Sequence, residues 1–340
     1  MKAELIGVHD PRWQDLLSQV LHDFYHLPDY AALSAREEGG TALALYVVAG
    51  ADRLLLPLVA RPIPAGGEDV SSPYGYPGPL ISGDAAPGFL AAALRAGVEV
   101  LAQAGYVSLF VRMHPLLCPE APDGVGTVVR HAPTVVIDLE EDDETWFASM
   151  RKSHRQQIRR ALDEGHRVHI DEDWQHFDFF RRTYHETMER LAAGKRYYFS
   201  DSYFDALRSA LGDRLRLFVI EYGDRPWAGG LFVETCGIVQ SHLSADDGSF
   251  RRGGAKKLLY AGVREWASSR DDRWFHLGGG AALEPGLLSF KKGFSRDHRP
   301  FETLRVVLRE EAYRGLVGAS ERPGHHADAS GFFPAYRKDH

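Results

Sequence analysis

Two glycine-rich segments place lysines where an anion can bind. In the first, Gly278 and Gly279 follow an apolar, strand-like run, and Lys291 and Lys292 come after a short helical stretch. Backbone N–H groups that carry no side chain let a ligand approach closely, and the lysines supply cationic donors for phosphate. The glycines by themselves are also typical of a plain turn after a strand. The segment therefore predicts a ligand-binding strand end, with an ordinary turn as the alternative.

The second segment combines glycines with the start of a helix. Gly253 and Gly254 precede a helical pattern whose first turn carries Lys256 and Lys257. Exposed N–H groups at a helix N-terminus, together with the helix dipole, favour a phosphate group. The acetyltransferases of the GNAT superfamily hold the pyrophosphate of coenzyme A with a similar glycine-rich loop. In this chain Phe250 stands where that loop has glutamine or arginine.

A repeat of secondary-structure patterns organises the chain around these segments. Residues 43–53 align without gaps with residues 215–225, and each copy continues into a second apolar run, which predicts two β-hairpins. Residues 94–102 and 259–267 are similar amphipathic helices that lead into strands. We predict two similar α/β (α+β) domains in tandem, 1–140 and 145–318, each a mostly antiparallel mixed sheet flanked by helices. A mobile tail is expected over 319–340, and chance similarity is the alternative to the repeat.

Composition excludes several classes of protein. The 340 residues are 44% hydrophobic and 26% charged, as in soluble globular proteins, and the net charge of −7 argues against a protein that coats nucleic acid. Sixteen histidines show no ligand spacing, so no metal is expected. The two cysteines fit a reducing compartment. No leader or membrane-spanning run is recognisable, and we expect a cytoplasmic protein.

Several short motifs resemble, in this order, those of the Fem-type (FemXAB-like) aminoacyltransferases, which have two GNAT-like domains. The resemblance covers nearly the whole chain. Its carriers are residues 72–79, 151–161 with Gly165, 187–190, Tyr203 with Phe204, 242–244, Phe290 with Lys291, and Gly293 with Phe294.

The resemblance implies roles for residues of the second predicted domain. Lys291 is expected to contact the phosphate or the developing charge of the acyl donor, and Phe290 to stack on the terminal adenosine of tRNA. Tyr203 matches a tyrosine of the acceptor site, and Phe199 stands where the family often has arginine. Arg190 is a candidate for holding acceptor or donor, with a structural ion pair as the alternative.

Two further groups of residues are open to two readings. Tyr74 and Tyr76, in a Pro/Gly loop, can line an acceptor groove or belong to a rigid turn. The basic residues within 151–160 form either a tRNA-facing surface or a solvated face. We predict one helix over 142–165 to carry them.

Amide formation is the predicted chemistry. An aminoacyl ester or acyl thioester is already activated, so the enzyme must place a neutral amine, stabilise the oxyanion and accept a proton. His242, a shielded carboxylate or a water chain can take that proton, and a hydrogen-bonded strand histidine is the alternative for His242. The predicted partners are charged tRNA as co-substrate and an amine of a small molecule or peptide, such as a cell-wall precursor or a secondary metabolite, with no tightly bound cofactor. An acyl-coenzyme A-dependent N-acyltransferase and a non-catalytic ligand-binding protein are the alternatives.

Overall fold

A computed structural model describes residues 1–118, 120–194, 197–223, 225–248, 254–279, 285–320 and 331–338. The chain forms two compact units, Met1–His131 with Pro300–His340, and Ala132–Arg299. Each unit is built on one β-sheet with helices packed against it. Among the described helices, none has the length and apolar character needed to cross a membrane.

The first unit starts with a strand, two short helices and a hairpin. Its N-terminal elements are β1 (Lys2–Gly7), α1 (Pro11–Leu17), α2 (Pro28–Glu37), β2 (Thr41–Ala49), β3 (Asp52–Pro62), β4 (Glu68–Ser71), β5 (Leu80–Ile81), α3 (Phe89–Gln103), β6 (Ser108–Arg112) and β7 (Thr127–Arg130). The second unit then follows with β8 (Thr134–Asp138), α4 (Asp143–Ser149), α5 (Lys152–Asp163), β9 (Arg167–Ile170), α6 (Phe177–Arg190), α7 (Asp201–Leu211), β10 (Leu215–Tyr222), β11 (Arg225–Thr235), β12 (Ile238–Asp246), α8 (Ala255–Ser268), β13 (Trp274–Gly278), α9 (Pro285–Lys291) and β14 (Asp297–Arg299). The chain returns to the first unit with β15 (Glu302–Val307) and α10 (Glu310–Ser320).

The two sheets share one plan, which confirms the predicted fold class. The strand orders are β1-β2-β3-β4-β6-β15-β7 and β14-β8-β13-β12-β11-β10-β9, and β5 pairs with β3. Each sheet contains an antiparallel hairpin, β2–β3 or β10–β11, and one parallel pair, β4–β6 or β12–β13. A helix, α3 or α8, connects each parallel pair, as a crossover requires. Both hairpins lie on the segments that the repeat predicted.

Strand pairing places the unit boundaries away from the predicted ones. β8 pairs antiparallel with β13 and so belongs to the second sheet, although it lies within the predicted first domain. β15 pairs with β6 and β7 in the first sheet, although it lies within the predicted second domain. Each sheet thus contains one strand, β15 in the first and β8 in the second, that lies in the other predicted domain. A repeat detected by local similarity does not reveal such a strand.

The C-terminal segment is anchored where a mobile tail was expected. Residues 321–330 lie outside the described residues, but Tyr336 is buried and its hydroxyl donates to Asp69 Oδ2 at 3.0 Å. Arg337 binds the same carboxylate through Nε at 2.6 Å and Nη2 at 3.1 Å. Asp69 is fully buried, so the two contacts fix the segment against β4.

The predicted long helix over 142–165 is two helices. Asp142 caps α4 by accepting from Thr145 N at 2.9 Å, and the chain becomes extended at Met150. Met150 is buried in the core of the second unit, and Arg151 N donates to Gly293 O at 2.9 Å. The helix therefore breaks where the chain forms these tertiary contacts, which the helical periodicity of the sequence does not encode.

Candidate functional site

The parallel strands of the second sheet pair over a short distance and then continue with other partners. β12 and β13 are in register from Ile238 and Trp274 to Gln240 and His276. Both strands run on, β12 beside β11 and β13 beside β8. The side chains of the last pair, His276 Nδ1 and Gln240 Oε1, are 2.7 Å apart and fully buried. Beyond this buried pair of side chains, β12 and β13 no longer pair with each other.

Lys291 lies at the end of β13. Its side chain is 9% exposed, and Nζ donates to Gly279 O at 2.7 Å. Gly278 has a φ of +75°, a conformation that favours glycine, so the chain turns here after the strand. The predicted proximity of the glycines and Lys291 is present, and the ammonium group binds a strand-end carbonyl.

Contacts from α4 and α5 position the Lys291 segment. His154 is 2% exposed, and its Nε2 lies 2.9 Å from Phe290 O. Gly293 packs so closely on this ring that a Cβ would lie 2.2 Å from Nε2. Trp146 Nε1 adds a hydrogen bond of 3.1 Å to Phe294 O. The motifs that carry the family resemblance thus pack against each other around Lys291.

His242 lies on the part of β12 beyond the parallel pairing. It is the extra residue of a β-bulge opposite Leu231 and Phe232, an arrangement that redirects a side chain. Its Nε2 is 3.2 Å from the hydroxyl of Tyr203, and the half-buried imidazole has its pKa lowered to about 3 by burial. The imidazole is therefore neutral near pH 7. Tyr203 is itself buried, and the Phe199 ring stacks on its ring with centroids 4.1 Å apart.

Asp246, at the end of β12, holds two of the predicted cations. Arg190 Nη2 lies 2.8 Å from Asp246 Oδ1, and Lys256 Nζ lies 3.2 Å from Oδ2. Arg190 therefore forms the structural ion pair that was its alternative reading. Lys256 shares this one carboxylate with Arg190, so its positive charge is only partly compensated there.

Tyr260 connects β12 with the Lys291 segment. Its hydroxyl is 2.8 Å from Ser241 Oγ, and its ring contacts Phe290 edge-on with centroids 5.7 Å apart. Lys257 Nζ lies 6.0 Å from the Phe290 ring and also contacts Gln157 Oε1. Phe290 is half-buried in this group, so only part of its surface is open to stacking.

The second glycine segment is described only in part, because Gly253 lies outside the described residues. A Cβ at Gly254 would lie 2.8 Å from Gln157 O, so this glycine allows α8 to begin against α5. No side chain caps the N-terminus of α8 within the described residues. Lys292 follows α9 and is half-buried.

The basic residues of α5 are largely engaged within the protein. Arg155 Nη1 donates to Ala148 O at 2.8 Å, Arg159 lies over the Phe147 ring at 5.1 Å, and Arg160 pairs with Glu164 at 2.7 Å. These contacts support the reading of a solvated helix face.

Tyr74 and Tyr76 belong to the first unit. The backbone carbonyl of Tyr74 accepts from Tyr30 Oη at 3.0 Å, and the Tyr76 ring contacts Tyr25 and Phe301 edge-on. Both tyrosines are half-buried, so the loop has the packing of a rigid turn while keeping part of each ring accessible.

Sequence reasoning missed three residues of the second-unit site. His154 was visible as part of the 151–161 motif, but its role in holding Phe290 was not. Tyr260 and Asp246 gave no signal, since their importance comes from partners distant in the chain.

Comparison with known proteins identifies the fold. Residues 148–292 match the sequence family described as Acetyltransferase (GNAT) domain. Among curated proteins, no sequence matches the chain. FemX superposes with a TM-score of 0.69 at 12% identity, over 92% of this chain and 99% of that chain. The C-terminal domain of an Agrobacterium fabrum protein described as a lysylphosphatidylglycerol synthetase superposes with a TM-score of 0.58 at 13% identity, over 91% of this chain and 95% of that chain.

These matches confirm the predicted resemblance at the level of the fold. The second unit contains a GNAT domain, and the chain has the Fem-type tandem GNAT fold. The chain therefore has an acyltransferase fold, and its donor and acceptor must be argued from the site.

Proposed function

We propose that the protein transfers an aminoacyl group from aminoacyl-tRNA to an amine of a small molecule or peptide, forming an amide. The observation that carries this proposal is the parting of β12 and β13 beside Lys291, whose ammonium group lies 2.7 Å from the strand-end carbonyl of Gly279. The sequence resemblance to Fem-type aminoacyltransferases supports the choice of donor.

The reaction needs no covalent intermediate on the protein. The amine nitrogen attacks the ester carbonyl carbon, the carbonyl oxygen becomes an oxyanion, and the ribose hydroxyl of the terminal adenosine leaves. The proton released from the amine is equivalent to the one that the leaving oxygen takes up, so the reaction balances without a further reagent. Placement and oxyanion stabilisation are then the main contributions of the protein.

Lys291 is the candidate for oxyanion stabilisation. A buried ammonium group is less screened by water than an exposed one, so it acts strongly on charge that develops nearby. Its hydrogen bond to Gly279 O and the packing of Phe290 on His154 hold the side chain in place before substrate binds. Such preorganisation favours the transition state because no reorganisation is needed during the reaction.

His242 is the candidate for receiving the proton, in contact with Tyr203. The low pKa keeps the imidazole unprotonated and available at neutral pH, but it also makes His242 a weak base. Its contribution is therefore expected to be orientation of the amine through a hydrogen bond, with water as the final proton acceptor.

Acyl-coenzyme A is the alternative donor. Lys256 and Arg190 both pair with Asp246, so these three side chains keep one net positive charge beside the start of α8. Because that charge suits the phosphate of either donor, the choice of aminoacyl-tRNA rests on the Fem-type resemblance.

A donor screen tests the proposal. The purified protein is incubated with candidate amines and either a mixed pool of charged tRNA or a set of acyl-coenzyme A thioesters, and products are identified by mass spectrometry. Amide formed only with charged tRNA is the expected result. Product formed only with thioesters would assign the alternative donor, and ligand binding without product would assign a binding protein.

The role of Lys291 is tested in the same assay with Lys291→Met, which retains most of the apolar stem and removes the charge. We expect kcat to fall by about 10²–10³-fold, corresponding to roughly 3–4 kcal/mol. Arg296→Ala removes an exposed cation nearby and is the control, with unchanged kcat expected. A Lys291→Met protein that is folded and turns over at the wild-type rate contradicts the assigned role.

A further inference from the structure

Two histidines and a glutamate converge at the edge of the second sheet, away from the residues assigned to acyl transfer. His176 Nε2 lies 3.1 Å from Glu221 Oε1, and His169 Nδ1 lies 3.8 Å from Glu221 Oε2. One ligand atom from each of the three residues lies within 4.8 Å of the others. Sequence spacing did not predict this cluster, because its members come from β9, the start of α6 and β10.

The sheet sets the positions of two of these residues. His169 pairs with Val219 across the antiparallel β9–β10 ladder, and Glu221 lies two residues further along β10. Residues two apart on a strand share a face, so His169 and Glu221 are diagonal neighbours on the same side of the sheet. Their separation is therefore determined by the register of the strands.

A buried carboxylate fixes the third residue. Asp171 is 6% exposed and accepts backbone hydrogen bonds from Gln175 N at 3.0 Å and from His176 N at 2.6 Å. Its Oδ2 also lies 3.3 Å from Nδ1 of the His176 ring. Nδ1 of His176 thus faces Asp171 at ion-pair distance, without hydrogen-bond geometry, and Nε2 faces Glu221. A carboxylate behind one imidazole nitrogen is the usual second-shell partner of a metal-ligating histidine.

The spacing suits a small divalent cation. Two ligands at about 2.0–2.1 Å from a tetrahedral zinc ion lie roughly 3.3–3.4 Å from each other. The observed separations, 3.1 Å to Oε1 and 3.8 Å to Oε2 of Glu221, lie near this value, and one ligand atom from each residue lies within 4.8 Å of the others. All three side chains are half-buried, so an ion has access from solvent and a water molecule can complete the coordination.

We propose that His169, His176 and Glu221 form a binding site for one Zn²⁺ ion, with Asp171 orienting His176. The ion would connect the edge strand β9 to β10 and to the start of α6. The site is independent of the residues assigned to acyl transfer, so its role is to stabilise this edge of the sheet.

Metal titration of the full chain, prepared without a polyhistidine tag and stripped with EDTA, tests this site. Calorimetry with Zn²⁺ is expected to show one ion per chain, and Co²⁺ is expected to give visible absorption typical of tetrahedral coordination. His169→Ala and Glu221→Gln are expected to weaken binding by at least about tenfold, and Asp171→Asn by about 10–100-fold. His298→Ala removes an exposed histidine of β14 in the same unit and serves as the matched control, with wild-type affinity expected.

A stability readout separates ligand loss from misfolding. In EDTA the variants are expected to melt near the wild-type temperature, and Zn²⁺ is expected to raise the melting temperature of the wild type and of His298→Ala more than that of the site variants. Absence of saturable Zn²⁺ binding to the wild type overturns the proposal. Binding that survives in both His169→Ala and Glu221→Gln overturns it as well, and the three residues then form ion pairs only.

Discussion

Replacing Gly293 with alanine tests whether the packing of α5 against the Lys291 segment holds the site together. The added Cβ would lie 2.2, 2.3 and 2.7 Å from three atoms of the His154 ring, whereas ordinary contacts begin at 3.4 Å. His154 is 2% exposed and has the Phe294 ring on one side, with centroids 4.7 Å apart. The ring cannot move away without leaving Phe290 O, which lies 2.9 Å from its Nε2.

The expected loss of stability follows from two terms. Overpacking of a well-packed core costs about 1–3 kcal/mol, and a buried polar group that loses its partner costs about another 1–3 kcal/mol. Gly293→Ala should therefore lower the free energy of unfolding of the second unit by roughly 2–6 kcal/mol. With a urea m-value of about 2 kcal/mol/M, the midpoint of unfolding shifts down by roughly 1–3 M.

Urea unfolding followed by tryptophan fluorescence is the suitable assay, because five of the six tryptophans lie in the second unit. Gly286→Ala is the matched control: it lies in α9, close in sequence to Gly293, and a Cβ there meets no atom within 4 Å. We expect Gly286→Ala to be neutral or stabilising by up to about 1 kcal/mol. If Gly293→Ala unfolds within about 0.5 kcal/mol of the wild type, the packing argument for the site is wrong.

Three further predictions concern ionisable groups. Burial lowers the pKa of His242 to about 3, so the unfolded chain binds more protons than the folded chain below about pH 6.5. The free energy of unfolding therefore falls as the pH drops from about 6.5 towards 3. His242→Phe should reduce this pH dependence, as measured by urea titrations at several pH values. Burial raises the pKa of Asp272 to about 7, so the folded state loses stability as the pH rises from about 4 to 7. Asp272→Asn should raise the free energy of unfolding by on the order of 1–3 kcal/mol at pH 8 and leave it unchanged at pH 4. Arg337→Ala should lower the free energy of unfolding by about 2–4 kcal/mol, because the fully buried Asp69 carboxylate then keeps only part of the positive charge that compensates it. The C-terminal segment should also become more sensitive to proteolysis. Lys338→Ala, at an exposed position, is the control.

Each of these has a clear contrary result. An unchanged pH slope in His242→Phe means that His242 is not held neutral by the fold. Equal stability of Asp272→Asn and the wild type at pH 8 means that Asp272 is solvated. Equal proteolysis of Arg337→Ala and Lys338→Ala means that the buried ion pair does not anchor the segment.

The sequence was sufficient to predict the class of fold. The hairpin pattern at 43–53 and 215–225 and the amphipathic helices that follow are local signals, because strand alternation and helix periodicity depend on residues close together in the chain. The order of short motifs added the Fem-type resemblance. Local signals also placed Lys291 next to the glycines at the end of β13.

Only the tertiary structure shows which residues each candidate site residue contacts. The sequence could not show that β8 and β15 exchange between the repeats, that Asp246 pairs with both Arg190 and Lys256, or that the predicted helix breaks at Met150 and Arg151 binds Gly293. The same holds for His169, His176 and Glu221, which strand register brings together. Charge pairing and burial depend on contacts between residues far apart in the chain. A single sequence states which groups are present, and only the packed fold determines which of them are compensated and which can act on a ligand.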